Sequence, residues 1–143
     1  MKLLTTLILF VSMLLGVQAQ DWLTNIDEAK KEAKANNRNI IMVFQGSDWC
    51  APCIKLDNKV WSTETFKTYA KDNFVMLKLD FPRKRSNKLS KDQDAHNGKL
   101  FEQYNKPGSF PYVAVINAEG KLLGTSGYKN ISVEDYIKEL ASF

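Results

Sequence analysis

The sequence is poor in the residues from which metal sites are built. Its 143 residues include two cysteines and one histidine, His96, whereas a structural zinc site takes about four Cys or His ligands. That count argues against a zinc site, and we expect neither a metal nor an organic cofactor. A large excess of charge is absent too. The net charge of +4 is ordinary for a globular domain and gives no indication of a nucleic-acid partner.

Repeats and low-complexity linkers are also absent. A chain of this length with 44% apolar side chains can bury one core and leaves little room for a second domain. We therefore expect a single domain, which we take to be monomeric.

A long apolar run opens the chain. It extends from Leu3 to Leu15, follows Lys2 and precedes Val17 and Ala19, which suit the −3 and −1 positions of a signal-peptidase site. We predict a signal peptide over 1–19 and an exported domain over 20–143, either periplasmic or secreted. The run is short for a transmembrane helix, so no membrane span is expected after cleavage. An uncleaved anchor is the alternative.

Apolar spacing predicts helices that alternate with buried strands. Thr24 is expected to cap the first helix, and the helix that starts at Ala51 is expected to bend or break near Ser62. The last two strands are joined by a short turn and must be antiparallel. The order α, β, α, β, α, β, β, α predicts an α/β three-layer sandwich with a mixed central sheet. The predicted strands are 40–44, 74–80, 112–116 and 121–124.

Both cysteines lie within residues 46–53, GSDWCAPC. They could form a structural disulfide, half of a metal site or a redox dithiol. A disulfide that closes only two intervening residues constrains the unfolded chain little, because its benefit grows with loop length. Cys50 falls where a strand gives way to a helix, and helix N-termini favour a thiolate. Cys53 should lie one turn deeper and less exposed, so we expect Cys50 to attack and Cys53 to resolve the mixed disulfide.

Other polar features have plain interpretations. We expect His96 to be a solvated surface residue and the basic run 83–85 to be a solvated loop, with docking of an acidic partner as the alternative for that run. Asp48 is expected to be exposed on its turn. Pro111 directly precedes a buried strand, where a missing N–H is tolerated, and the sequence alone leaves its peptide isomer open.

The sequence resembles the thioredoxin-fold oxidoreductases. The resemblance rests on WCAPC after an apolar strand and on Phe110-Pro111-Tyr112 before an Asn-Ala-Glu-Gly turn, and it covers 21–143. Residues 44–62 and the KLDFP stretch at 78–82 are similar to exported thioredoxin-like proteins of bacteria such as Bacteroidetes.

That resemblance assigns roles to five residues. It implies that Cys50 is the attacking and Cys53 the resolving cysteine, and that Pro111 is a cis-proline beside the dithiol. It also implies that Trp49, Phe110 and Pro111 contact the client protein.

The chain departs from the family pattern in two places. Thioredoxins carry a buried acid six positions before the first cysteine, which relays a proton for the resolving thiol; here that position is Phe44. Gln45, or Lys78 with a water, is the expected replacement, and Cys53 is expected to lose its proton more slowly. The Ala51-Pro52 dipeptide lacks the histidine of strongly oxidising members, which predicts a reduction potential near the reducing end of about −270 to −120 mV.

Two functions follow from these features. The first is an exported thiol–disulfide oxidoreductase that exchanges its dithiol with client proteins, as a reductant supplied by a membrane-bound redox partner. The alternative is a non-catalytic binding protein of the same fold with a resting Cys50–Cys53 disulfide. The missing acid at Phe44 is the best support for the alternative.

Overall fold

A five-stranded mixed sheet forms the middle of the molecule. The computed structural model describes residues 21–143, so the predicted signal peptide lies outside the described residues. The strands lie in the order β1-β3-β2-β4-β5; β1 and β2 run parallel to β3, whereas β4 is antiparallel to both β2 and β5. The strands are β1 (Trp22–Leu23), β2 (Asn39–Gln45), β3 (Phe74–Asp80), β4 (Tyr112–Ile116) and β5 (Leu122–Ser126).

Helices cover both faces of this sheet, which confirms the predicted α/β sandwich. They are α1 (Ile26–Asn36), α2 (Ala51–Leu56), α3 (Glu64–Asn73), α4 (Lys91–Tyr104) and α5 (Val133–Ala141). The predicted break near Ser62 is confirmed: α2 continues as a π-helical turn, Asp57–Trp61, and α3 begins after Thr63, whose hydroxyl accepts the Phe66 N–H. No helix within residues 21–143 is long and apolar enough to cross a membrane.

The sheet separates two hydrophobic clusters, because successive side chains of a strand point to opposite faces. On β2, Ile41 and Val43 face the cluster covered by α2, α3 and α5, where the buried Trp61 packs against Phe66 and Tyr136. Ile40, Met42 and Phe44 face the cluster covered by α1 and α4. This alternation decides which β2 side chains can reach the cysteines.

The cap of the first helix differs from the prediction. Asn25, not Thr24, is the N-cap, and its side chain accepts the N–H groups of Asp27 and Glu28. Both residue types are good caps, so the sequence placed the helix correctly and missed its cap by one residue. The last helix begins after Ser132, whose hydroxyl accepts the Asp135 N–H.

The polar segment after β3 is mostly helical. Residues 85–87 form a 3₁₀ turn, and α4 begins directly after Ser90, whose hydroxyl accepts the Gln93 N–H. Asn97 is buried at 2% exposure and donates to the carbonyl of Asp80, which fixes α4 against the end of β3 beside the cysteine loop.

Candidate active site

Cys50 and Cys53 lie at the start of α2, as predicted. Cys50 is the N-cap, and its Sγ accepts the backbone N–H of Cys53 at 3.3 Å. Pro52 occupies the first turn of the helix, where a missing N–H leaves no partner unsatisfied. The two sulfurs are joined in a disulfide, with the Cα atoms 5.2 Å apart. The site can therefore store an electron pair as a dithiol and release it by closing this bond.

The two cysteines differ little in exposure in the disulfide form, although the order is the predicted one. Cys50 is 4% exposed and Cys53 is 3% exposed. Both cysteines are almost fully buried, so the access of a client disulfide to them is restricted. The distinction between the two sulfurs lies instead in their position, because Cys50 caps the helix and Cys53 lies within it.

Trp49 lies folded over the loop that carries Cys50. Its indole N–H donates to the carbonyl of Phe81 at 2.7 Å. A Cβ at Gly46 would overlap the indole ring, so this close approach requires glycine there. The ring is half-buried.

Phe110 and Pro111 lie next to the same loop. The Phe110–Pro111 peptide bond is cis, which confirms the isomer that the resemblance implied. Tyr112 pairs with Phe44 at the end of β2, which puts Pro111 at the edge of the sheet where the cysteine loop begins. The Phe110 ring lies edge-on to Trp49, with centroids 5.4 Å apart. The structure thus brings together Trp49 and Phe110, two of the predicted client-binding residues.

The residue at the position of the missing acid lies away from Cys53. Phe44 is fully buried among Phe81, Phe101 and Tyr112, on the sheet face opposite α2. In this chain, position 44 is therefore turned away from the sheet face on which α2 carries Cys53. Phe44 is therefore part of the hydrophobic core. Other residues must accept the proton of the Cys53 thiol.

The residues that could accept the proton of Cys53 line a cavity of about 360 Å³ beside it. It is lined by Cys53 itself and by Gln45, Ser47, Ile54, Asp57 and Lys78. Gln45 and Lys78 were predicted as replacements for the acid; Asp57 was not. Asp57 follows Cys53 by four residues, one helical turn, which is the spacing that brings two side chains to one helix face. That spacing was the feature of the sequence that could have identified it.

Asp48 has a structural role that its place on an exposed turn does not predict. Its carboxylate accepts the backbone N–H groups of Arg83 and Lys84, each at 3.0 Å, and the side-chain amide of Asn87 at 3.0 Å. The Arg83 N–H, with the groups of Asn87 and Lys84, holds the pKa of Asp48 below its ordinary value of 3.8. The expectation of a simply exposed aspartate is wrong because its partners lie some 35 residues further along the chain.

A second aspartate holds the other side of the loop. The carboxylate of Asp80, at the end of β3, accepts both the backbone N–H and the hydroxyl of Ser47 at 2.9 and 2.6 Å. Together with Asp48 it fixes the loop before Cys50 at two points.

His96 is not the solvated residue that was expected. It is half-buried, and its Nε2 accepts the backbone N–H of Ile26 at the start of α1. Its Nδ1 lies 2.9 Å from Oδ1 of Asn97, which assigns the ring proton to Nδ1 in the neutral form. Within residues 21–143 no cluster of three or more His, Cys, Asp or Glu side chains could hold a metal ion.

Comparisons with known proteins agree with this geometry. The thioredoxin-like family model matches residues 21–118. The disulfide bond reductase DsbH of Chlamydia pneumoniae is 34% identical over 115 residues, which are 80% of this chain and 68% of that protein. A solved DsbH oxidoreductase superposes with a TM-score of 0.79 and 31% identity, covering 87% of this chain and 84% of that one. A thioredoxin from Thermus thermophilus shares the fold, with a TM-score of 0.63 at 17% identity over 87% of each chain.

The chain belongs to the thioredoxin-like family. It is a thiol–disulfide oxidoreductase whose CxxC pair is Cys50–Cys53, and its clients are proteins that carry thiols or disulfides.

Proposed function

We propose that the protein is an exported bacterial oxidoreductase that reduces disulfides in client proteins. The observation that carries this proposal is the position of the Cys50–Cys53 pair. Cys50 caps α2 and its sulfur receives an N–H hydrogen bond from Cys53. Hydrogen bonds and a helix N-terminus both stabilise negative charge on sulfur, so Cys50 is suited to act as the attacking thiolate.

The chemistry proceeds by two thiol–disulfide exchanges. The Cys50 thiolate attacks one sulfur of the client disulfide; that bond breaks, one client thiolate leaves, and a mixed disulfide with Cys50 forms. Cys53 then loses its proton and attacks Sγ of Cys50, which releases the second client thiolate. Two electrons have passed to the client, and the protein is left with the Cys50–Cys53 disulfide seen in the structure.

The client would bind across Trp49, Phe110 and Pro111. Trp49 and Phe110 are half-buried and form an edge-to-face pair beside the cysteine loop. The cis bond before Pro111 sets the direction of the chain just ahead of β4. An extended client segment laid on this surface would bring its disulfide to Cys50.

Two observations support reduction as the direction of electron flow. DsbH, 34% identical to this chain, is named a disulfide bond reductase. Ala51 and Pro52 between the cysteines provide no histidine to stabilise the Cys50 thiolate further, and a very stable thiolate is what makes a strong oxidant. We expect the electrons to come from a membrane-bound redox partner.

The export part of the proposal rests on the first residues of the sequence. The basic and apolar segment up to Ala19 and the resemblance to exported Bacteroidetes proteins both support it. N-terminal sequencing of the protein from an expressing bacterium tests it. We expect the chain to begin at Gln20 and to be recovered outside the cytoplasm; a chain beginning at Met1 in the cytoplasm would overturn export.

The reduction potential of the Cys50–Cys53 pair tests the direction. The protein is equilibrated against defined thiol buffers, and the reduced fraction is measured by alkylation. A potential of about −250 mV or lower supports a reductant, and one of about −150 mV would mean a disulfide donor or isomerase.

A cysteine trap tests whether the pair exchanges with proteins at all. In a Cys53→Ser variant the mixed disulfide cannot be resolved, so clients should stay covalently attached to Cys50. Cys50→Ser is the matched control and should capture none. Partners that are bound without a covalent bond by both variants would favour a binding protein instead.

A further inference from the structure

The surface beside Trp49 carries a cluster of cations, which we call the basic rim. It consists of the side chains Arg83, Lys84, Arg85, Lys88 and Lys91. All five are exposed. They line a cavity of about 410 Å³ together with Pro82, Leu89 and Asp94. The lining thus holds five cations and one carboxylate.

None of the five rim side chains has an ion-pair partner within residues 21–143. The ion pairs of this part of the chain are Lys67–Glu64, Lys129–Glu139 and Lys138–Asp135. Residues 1–20 contain no Asp or Glu. The carboxylate of Asp48, which contacts the rim segment, accepts main-chain N–H groups of Arg83 and Lys84 rather than their side chains. The positive charge of the rim is therefore left for a group outside the chain.

The rim is held rigidly next to the redox site. Asp48, two residues before Cys50, bonds the backbone of the rim segment at Arg83 and Lys84. The guanidinium of Arg83 lies 3.7 Å above the centroid of the Trp49 ring, a cation–π contact. A segment bound on the rim would therefore continue directly onto Trp49 and the dithiol.

We propose that the basic rim binds an acidic segment of the client protein, one that flanks the client's disulfide. This proposal rests on the proposed function, because it states which charge the client carries where it binds beside the dithiol. Carboxylates suit the rim, since arginine forks bind them in pairs of hydrogen bonds. Opposite charges at the edge of an interface also raise the rate of encounter.

The shape of the rim favours a peptide over other polyanions. Its cations surround a cavity that also contains the apolar side chains of Pro82 and Leu89, and single acidic side chains can enter such a cavity. A bilayer presents a flat surface of headgroups instead. A nucleic acid would be expected to meet basic side chains with aromatic rings interleaved and free for stacking, whereas Trp49 beside the rim already has Arg83 over its ring.

A set of peptides that differ only in flanking charge tests this proposal. Each has one disulfide bridge, with Glu, Gln or Lys at the flanking positions, and pre-reduced protein reacts with it in a single turnover. We expect the Glu peptide to react about tenfold faster than the Gln peptide at low ionic strength. The advantage should shrink as salt is added, because salt screens exposed charges.

Two triple variants distinguish the effect of the rim charges from the effect of the protein's net charge. Arg85→Glu, Lys88→Glu and Lys91→Glu together reverse the rim while leaving Arg83 on Trp49, and should give the Lys peptide the advantage. Lys31→Glu, Lys34→Glu and Lys121→Glu change the net charge equally on α1 and the β4–β5 turn, and should keep the preference for Glu. A rim variant that still prefers Glu, or a control that loses the preference equally, would overturn the proposal.

A binding measurement keeps the test independent of electron transfer. The same peptides with Ser in place of Cys are titrated by fluorescence anisotropy, alongside phosphatidylglycerol vesicles and a single-stranded oligonucleotide. Rim-dependent binding of the Glu peptide supports the proposal even if no peptide is reduced. In that case the proposed reductase function is wrong, whereas the binding role of the rim stands. Rim-dependent binding of vesicles or oligonucleotide with no preference among the peptides would overturn it.

Discussion

The backbone N–H of Cys53 points at the sulfur of Cys50, 3.3 Å away. The contact joins the two cysteines in a second way besides their disulfide. When the disulfide opens, this N–H remains in place to stabilise charge on Cys50, because it belongs to the first turn of α2. The fold therefore provides the attacking sulfur with a donor before any client arrives.

Replacing Cys50 tests the division of labour between the cysteines. Cys50→Ser should lower the rate of disulfide reduction about a thousandfold or more, since the alcohol cannot replace the thiolate as nucleophile. The rate is measured with a protein disulfide substrate and an excess of chemical reductant. Cys53→Ser should still form the mixed disulfide once per molecule. Normal turnover by the Cys50→Ser variant would contradict the mechanism.

Restoring the family's acid at position 44 should fail. Phe44→Asp would place a carboxylate among Phe81, Phe101 and Tyr112 and remove a buried ring, lowering the free energy of unfolding by about 3–5 kcal/mol or more. Chemical denaturation measures this loss. A Phe44→Asp variant with unchanged stability would mean that the side chain reaches water or a partner on that face.

Gln45→Glu is the informative counterpart. Gln45 lines the cavity beside Cys53, so a glutamate at position 45 should be tolerated. Its carboxylate should accept the proton of Cys53, as the buried acid of thioredoxins does. We expect a faster second step near neutral pH, seen as quicker collapse of a preformed mixed disulfide on Cys50. A stable variant with an unchanged rate would show that the proton of Cys53 leaves by another route.

In the natural protein, the carboxylate of Asp57 should accept the proton of the Cys53 thiol. Asp57 and Lys78 are the ionisable side chains that line the cavity with Cys53, and a carboxylate one water away can accept the thiol proton. Asp57→Asn should slow collapse of the mixed disulfide about tenfold while leaving its formation unchanged. Asp92→Asn, on the exposed first turn of α4, is the control. Equal slowing of both steps would point to a structural effect instead.

The attachment of the rim segment to the cysteine loop should depend on pH. The pKa of Asp48 is held below 3.8, chiefly by the Arg83 N–H, so its hydrogen bonds are complete above that pH. They are lost as the pH falls through the lower folded value. The amide NMR shifts of Arg83 and Lys84 should therefore move with a midpoint below pH 3.8.

Variants of two aspartates check this assignment. Asp48→Asn should abolish the transition at the Arg83 and Lys84 amides. Asp135→Asn should leave it intact, although the pKa of Asp135 is also lowered, by Ser132 and Lys138 on α5. A midpoint above 3.8, or a transition that survives Asp48→Asn, would contradict it.

The sequence predicted features that local pattern controls. Strands 74–80 and 112–116 match the structure residue for residue, because buried strands are continuous apolar runs. The place of Cys50 at a strand-to-helix junction followed from the same patterns. The two-residue β1 was missed because it is too short to show a periodicity.

The missed features depend on contacts between distant parts of the chain. Asp48 meets Arg83 across 35 residues and His96 meets Ile26 across 70. Neither pairing leaves a trace in the local sequence. The face occupied by Phe44 was also hidden, because counting back from Cys50 gives a position in the chain but not the side of the sheet on which it lies.

The way Asp48 holds the rim segment bears on how such a protein can diversify. Two of its three bonds go to main-chain N–H groups, which every amino acid except proline supplies. The segment would thus keep most of its attachment when side chains other than Asn87 are replaced. Substitutions there would change which clients are preferred and leave the Cys50–Cys53 pair unaltered, which makes Lys84, Arg85 and Lys88 natural places to introduce new specificity.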